Sequence, residues 1–257
     1  TATDSVTVND AAAASLTLSD LTSMAAGTYA TYTLTVRDIY GNPTEEGVTT
    51  VNLASTSASA NKRFVLSSFN TPGRARGVAV SGTYAYVGDY GSGLEIYSVS
   101  NPGVPTLMGG FNAGSTAYDV VVSGAYGYLA NYNSGLVIFN ISNVAAPTVV
   151  GIYDPTPVVL DVVVSGSYAY VAEGSSGLGI INISNAAAPT LTGLFATASS
   201  SYGVEVSGVY AYVAAYGGGL EIINISNAAL PTRAGVFDTP DAAYGVFVSG
   251  AYAYVAD

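Results

Sequence analysis

The 257 residues carry only 9% charged side chains, against roughly 25% in an ordinary soluble domain, and the net charge is −11. The basic residues are Arg37, Lys62, Arg63, Arg74, Arg76 and Arg233, too few for a phosphate-binding surface, so nucleic acid is excluded as an expected partner. The absence of His and Cys excludes Ser-His-Asp catalysis, thiolate metal sites and a disulfide framework.

Apolar residues make up 49% of the chain, yet no uninterrupted run approaches the roughly 18 residues a membrane helix needs, and no membrane insertion is expected in this segment. Solubility must rest on Ser, Thr, Asn, Gly and the Tyr hydroxyls. Thr1 is not a start and no signal peptide precedes it, so the chain reads as a mature or excised piece.

From the N-terminus, YATYTLTV (29–36) alternates with the period of a strand, DIYGNP (38–43) reads as a polar turn, and VTTVNLA (48–54) reads as a second strand. This stretch resembles the bacterial immunoglobulin-like domains of large surface proteins, whose strands are joined by an AxDxYGN turn. The resemblance implies a partial immunoglobulin-like β-sandwich with its linker over 9–61. Residues 1–8 would be the last strand of a preceding module or a linker, and STSASANK (55–62) leads into the next domain.

A repeat then takes over. VSG recurs at 80–82, 122–124, 164–166, 206–208 and 248–250, with the glycines 42 residues apart every time. Gly93-Leu94, Gly135-Leu136, Gly177-Leu178 and Gly219-Leu220 keep the same period, as do Pro105, Pro147, Pro189 and Pro231. The third repeat predicts four strands, at 160–165, 168–173, 177–184 and 189–197, the last opening on proline, which a strand tolerates at its first residue. Gly, Val, Thr and Ser dominate every window, which argues against helix. One such unit buries too little apolar surface to offset the ordering of its backbone, so stacking is required for folding.

The run VVVSGSYAYVAE…SGLGIINISNAAAPTLTGLF resembles the LVIVD repeat of bacterial and archaeal surface-exposed β-propeller proteins over about 62–257. It implies an all-β fold of 42-residue, four-stranded β-propeller blades following the immunoglobulin-like portion. The family usually places Asp before the IS, where this chain has Ser98, Asn140, Asn182 and Asn224. Four repeats are complete, 243–257 supplies two strands of a fifth, and RFVLSSFNTP (63–72) aligns as a lone fourth strand. A closed ring from 63–257 would lack one strand, so further repeats or a neighbouring subunit are expected at that gap.

The tyrosine pairs Tyr84/Tyr86, Tyr126/Tyr128, Tyr168/Tyr170, Tyr210/Tyr212 and Tyr252/Tyr254 share one strand face, and their fixed phase reads as packing between blades rather than a sugar-stacking surface. The loops that follow vary, and in a propeller they share a face with the connections between blades. Arg74, Arg76, Asp89, Tyr90, Tyr118, Asn131, Tyr132, Glu173, Tyr202, Tyr216 and Tyr244 are therefore expected to ring one end of the channel as candidate ligand-binding residues. Asp89, Glu173 and Asp257 share a phase, but calcium takes about 6–8 oxygens from a dense acidic run that is missing, so neither metal nor cofactor is expected. Asp119 and Asp161 would make a carboxylate pair for acid/base work, but Gly77, Gly203 and Gly245 hold the matching positions. Asn140, Asn182 and Asn224 each open an N-x-[ST] sequon and are glycosylation candidates; the plainer reading makes Asn-Ile-Ser part of the third strand.

The expectation is a non-enzymatic, extracellular or cell-surface prokaryotic protein with a structural or adhesive role. Its partners would be other protein subunits or cell-surface glycans, with homo-oligomers or polymers among the assemblies. The alternatives are a subunit of an extracellular filament or surface layer joined through open β edges, and a carbohydrate-binding or carbohydrate-active propeller.

Overall fold

The computed structural model describes the strands at 6–9, 29–37 and 49–54 and the stretches 71–155 and 158–257. The expected turn at 38–43, linker at 55–62 and outer strand at 63–70 lie outside the described residues. The chain divides into two compact units, Thr1–Phe69 with Pro102–Val104, and Asn70–Asn101 with Pro105–Asp257.

In the first unit, β1 (Val6–Asn9), β2 (Tyr29–Arg37) and β3 (Thr49–Ala54) form one sheet in that order. β1 runs parallel to β2, and β3 antiparallel to it. The second layer of an immunoglobulin-like sandwich is not among the described residues.

The second unit is a series of antiparallel meanders, and no helix occurs among the described residues. The first sheet is β4 (Ala75–Ser81), β5 (Tyr84–Asp89), β6 (Gly93–Ser98) and β7 (Thr106–Phe111). The second is β8 (Asp119–Ser123), β9 (Tyr126–Ala130), β10 (Leu136–Asn140) and β11 (Thr148–Tyr153). The third is β12 (Asp161–Ser165), β13 (Tyr168–Ala172), β14 (Leu178–Asn182) and β15 (Thr190–Phe195). The fourth is β16 (Gly203–Ser207), β17 (Tyr210–Ala214), β18 (Leu220–Asn224) and β19 (Thr232–Phe237), and β20 (Gly245–Ser249) pairs with β21 (Tyr252–Ala256) as a fifth, two-stranded sheet. First strands of successive sheets lie side by side. The sheets do not close into a ring among the described residues.

Local chemistry repeats with the sequence. The turn between first and second strands is a two-residue Gly-Xaa loop; Ser123 pairs with Tyr126 across Gly124 and Ala125. Gly124 has φ +61° and its four counterparts lie between +58° and +60°, the first-position conformation of a type II′ hairpin. Each complete repeat has a register shift between third and fourth strands, as between Ile180 and Ile181 opposite Gly193 and Leu191. Thr192 is the extra residue of that bulge, which bends the outer strand.

The cores lie between sheets rather than within them. Tyr86, Leu94 and Ile96 pack on Val120, Leu129 and Phe139; Tyr128, Leu136 and Ile138 pack on Val162, Val171 and Ile181; Tyr170, Leu178 and Ile180 pack on Val204, Val213 and Ile223. Tyr86, Tyr128 and Tyr170 are buried, so these tyrosines pack between sheets. Gly193 lets the next sheet approach, because a Cβ there would fall well inside contact distance of the Ala228 carbonyl oxygen and 3.2 Å from Pro231 Cδ.

Candidate binding rim

Two positions of the repeat build the site. One is the residue just before or at the start of each first strand, occupied by Arg76, Tyr118, Leu160, Tyr202 and Tyr244. The other lies just past each second strand, occupied by Tyr90, Tyr132, Gly174 and Tyr216. Backbone bonds hold both. Tyr118, Leu160, Tyr202 and Tyr244 donate their N–H groups to the carbonyls of Ala130, Ala172, Ala214 and Ala256 at 2.8–2.9 Å. Val159 N–H donates to the Tyr132 carbonyl at 3.1 Å, Ser201 N–H to Gly174 at 2.9 Å, and Tyr216 and Ala243 exchange bonds at 3.0 and 3.1 Å. The loop after each of these second strands is thus stitched to the start of the next repeat.

The side chains then meet across repeats in one pattern used twice. The Arg76 Cζ lies 4.4 Å from the Tyr118 ring centroid and 5.1 Å from that of Tyr90, and the two rings are 6.2 Å apart. Tyr118 stacks on Tyr132 at 5.4 Å and 18°. In the fourth and fifth repeats, Tyr202, Tyr216 and Tyr244 meet pairwise at 5.2–5.6 Å. Burial raises the pKa of the Tyr118 hydroxyl, the Arg76 cation opposes that rise, and the hydroxyls of Tyr90, Tyr132 and Tyr202 add to it. The neighbouring Tyr216 hydroxyl, foremost, raises that of Tyr244. Seven of the eleven sequence-derived candidates therefore form one aromatic rim in two clusters. The third repeat, with Leu160 and Gly174, has no ring at either position.

Tyr132 and Tyr216 hold their rings from left-handed backbone, at φ +37° and +42°, while Gly174 takes φ +48° at the same phase. A bulky residue there costs on the order of 1–3 kcal/mol. The sequence carried a signal for this strain, since EGSSG places glycine where NYNSG and AYGGG place tyrosine.

The other four candidates do not join the rim as side chains. Arg74 contributes its backbone carbonyl, which accepts the Tyr90 N–H at 3.0 Å. Asp89, Asn131 and Glu173 are buried. Asp89 accepts hydrogen bonds from the Gly73 N–H at 2.7 Å and the Thr71 hydroxyl at 3.2 Å, and Asn131 Nδ2 donates to the Ala113 carbonyl at 2.7 Å. These side chains fasten the connections between sheets, which leave backbone groups that need partners. Glu173 accepts from the Tyr153 hydroxyl, but Oε1 has no partner and burial pushes its pKa up to about 7. That oxygen fills the space a Cβ on Gly179 would take. One repeat later the roles are exchanged: Ala215 replaces the glutamate, and Glu221, at the position of Gly179, accepts the Ala198 N–H at 2.5 Å. Arg233 lies 2.7 Å from the other oxygen of Glu221.

Asp119 and Asp161, on adjacent first strands, are brought together beneath the rim. Burial pushes the Asp161 carboxyl well above the usual carboxylate range, and the Asp119 carboxyl beside it adds to the rise. Asp161 also accepts the N–H groups of Val162 at 2.9 Å and Val204 at 2.7 Å. The sequon asparagines close the third strands: Asn140, Asn182 and Asn224 accept the N–H of Ser142, Ser184 and Ser226 at 2.8–2.9 Å. Their Oδ1 atoms thus close the turn after each of these strands as side-chain acceptors. Among the described residues no group of three acidic side chains is placed to hold a metal ion.

Comparison with solved structures gives a likeness of fold alone. A functionally unknown protein from Desulfotomaculum acetoxidans is similar at TM-score 0.62 and 14% identity, over 73% of this chain and 64% of its own. The computationally designed Ika8 protein is similar at TM-score 0.58 and 9% identity, over 70% of this chain and 54% of its own. The designed Ika4 protein matches at 0.52 and 8%, over 63% and 98%. The chain thus spans under two thirds of the first two. No curated protein matches it. The LVIVD repeat model matches at 72–113, 114–155, 159–197, 199–239 and 241–257, well over half of the sequence, and the chain belongs to the LVIVD repeat family.

Proposed function

We propose that this chain is a non-enzymatic, extracellular or cell-surface adhesion protein whose repeats form blades of a β-propeller and whose aromatic rim binds cell-surface glycans. The observation that carries the reading is the rim itself, tyrosines from four repeats gathered on loops of a rigid β scaffold, two of them from strained backbone. Flat rings stack on the C–H faces of sugars, and their hydroxyls hydrogen-bond to the sugar hydroxyls. Stacked sheets whose first strands lie side by side support the propeller arrangement. The surface setting draws on the resemblance and on a chain that keeps itself soluble with few charges and no Cys or His. A non-enzymatic role is supported by Asp161, whose two oxygens already accept backbone N–H groups.

The test is a glycan array probed with the purified chain and with Tyr118→Ala and Tyr202→Ala. Binding that both variants lose, with their thermal melting retained, supports the reading. Absence of glycan binding, or unchanged binding by both variants, would sink it.

A second reading, a subunit of a filament or surface layer, draws on the fifth sheet. Tyr252 and Tyr254 are 70% and 59% exposed, while Tyr170, the counterpart of Tyr254 two repeats earlier, is 6% exposed beneath the next sheet. A following sheet or a second copy would cover that face. Sedimentation over a wide concentration range separates the two, since only the second demands self-association.

A further inference from the structure

We infer that the glycan bound at this rim is a carboxylated one, a uronic or sialic acid residue whose carboxylate is taken by Arg76 while its ring lies against the tyrosines. The inference rests on the glycan-binding reading and adds the charge of the sugar. The chain has 17 acidic and 6 basic residues, so an arginine has an abundance of carboxylates to pair with. Arg233 does pair, with the buried Glu221. Arg76 has no carboxylate partner among the described residues and instead lies over the rings of Tyr118 and Tyr90. Stacking spends the guanidinium faces and leaves its edge, with the N–H donors that match a carboxylate two by two.

The nearest acids are already engaged, Asp119 with the Asp161 carboxyl beside it. Asp89 takes the Gly73 N–H and the Thr71 hydroxyl, and Asp161 takes the N–H groups of Val162 and Val204. Arg76 is exposed at its end of the rim, a free positive charge in a chain of net charge −11. Tyr118 links this cation to the rest of the rim, through its stack on Tyr132 and through the nearby Tyr202 hydroxyl. A sugar ring against Tyr118 therefore carries its carboxylate towards Arg76.

The test uses matched pairs of probes, trigalacturonate with its methyl ester and sialyllactose with lactose, titrated by calorimetry against the whole chain. At least one acid is expected to bind about ten-fold or more tightly than its neutral partner, the usual scale of a charge-assisted bidentate bond. Arg76→Gln should abolish that preference, and Arg233→Gln, which lies outside the rim, should leave it intact. Equal affinity for acid and neutral partner, or a preference that survives Arg76→Gln, overturns the inference while the glycan-binding reading stands. Loss of all saccharide binding in the unmodified chain overturns both.

Discussion

Tyr132 stacks on Tyr118 with ring centroids 5.4 Å apart while its own backbone sits at φ +37°, so a local strain holds one wall of the rim. Relief of that strain separates stability from recognition. Tyr132→Gly is expected to melt within about 1 kcal/mol of the parent, because glycine takes the left-handed region freely and offsets the lost stacking. Its glycan affinity should fall. Thermal denaturation beside titration checks both, and a loss of several kcal/mol would show that the ring serves the fold.

The hairpin glycines make the opposite case. Gly124 has φ +61° with nothing within 4 Å of a Cβ placed there, so the cost of a side chain is conformational alone. Gly124→Val is expected to lose about 1–3 kcal/mol and Gly124→Asn clearly less, since asparagine tolerates this region. Equal losses on chemical denaturation would point to crowding instead.

Close approach between sheets can be tested within one chain. Gly193→Ala drives a Cβ against the rigid Ala228 carbonyl and should cost about 1–3 kcal/mol. Gly235→Ala, one repeat on, meets nothing nearer than Ile222 at 3.8 Å and should be close to neutral, within about 0.5 kcal/mol. Similar denaturation midpoints for the two would count against packing through this glycine.

Glu173 makes stability depend on pH. Burial holds its folded pKa at about 7, above the ordinary glutamate value of 4.5, so the native state binds the extra proton between those values. The stabilisation is full below about pH 4.5 and is lost as pH rises through about 7. Asp161 acts in the same direction. From about pH 5 to pH 8 the parent should lose roughly 2–3 kcal/mol more than Glu173→Gln, because each tenfold gain in proton affinity on folding is worth roughly 1.4 kcal/mol. Parallel pH profiles of the two proteins would refute the assignment.

The fold was legible because one period runs through three kinds of signal: the turn glycines, the Gly-Leu steps and the prolines. Each marks a backbone event that must recur if sheets are to stack. Tyr170 was legible for the same reason, since a residue at fixed phase in every repeat belongs to the contact between repeats. At the rim, the phase of Tyr118 and Tyr202 identified the loop end but not the direction of each side chain. Asp89 and Asn131 share that end of the sheet, yet they turn inward because the neighbouring connection leaves N–H and carbonyl groups to be satisfied. Such a demand depends on loop geometry, which a one-dimensional pattern does not carry. The nearness of Asp119 to Asp161 was legible from the period itself: 42 residues of separation become one strand spacing when the sheets stack.

The exchange between Glu173 with Gly179 and Ala215 with Glu221 limits how the third and fourth repeats can be recombined without repacking. A crossover between whole repeats carries each carboxylate together with the space it fills. A crossover between second and third strands of the third and fourth repeats does not. One product would force Glu173 and Glu221 into a single cavity, and its reciprocal would set Ala215 beside Gly179, leaving the Ala198 N–H without its acceptor. Exchange of strands between the third and fourth repeats therefore keeps this packing only where the breakpoint lies outside the strand pair across the cavity.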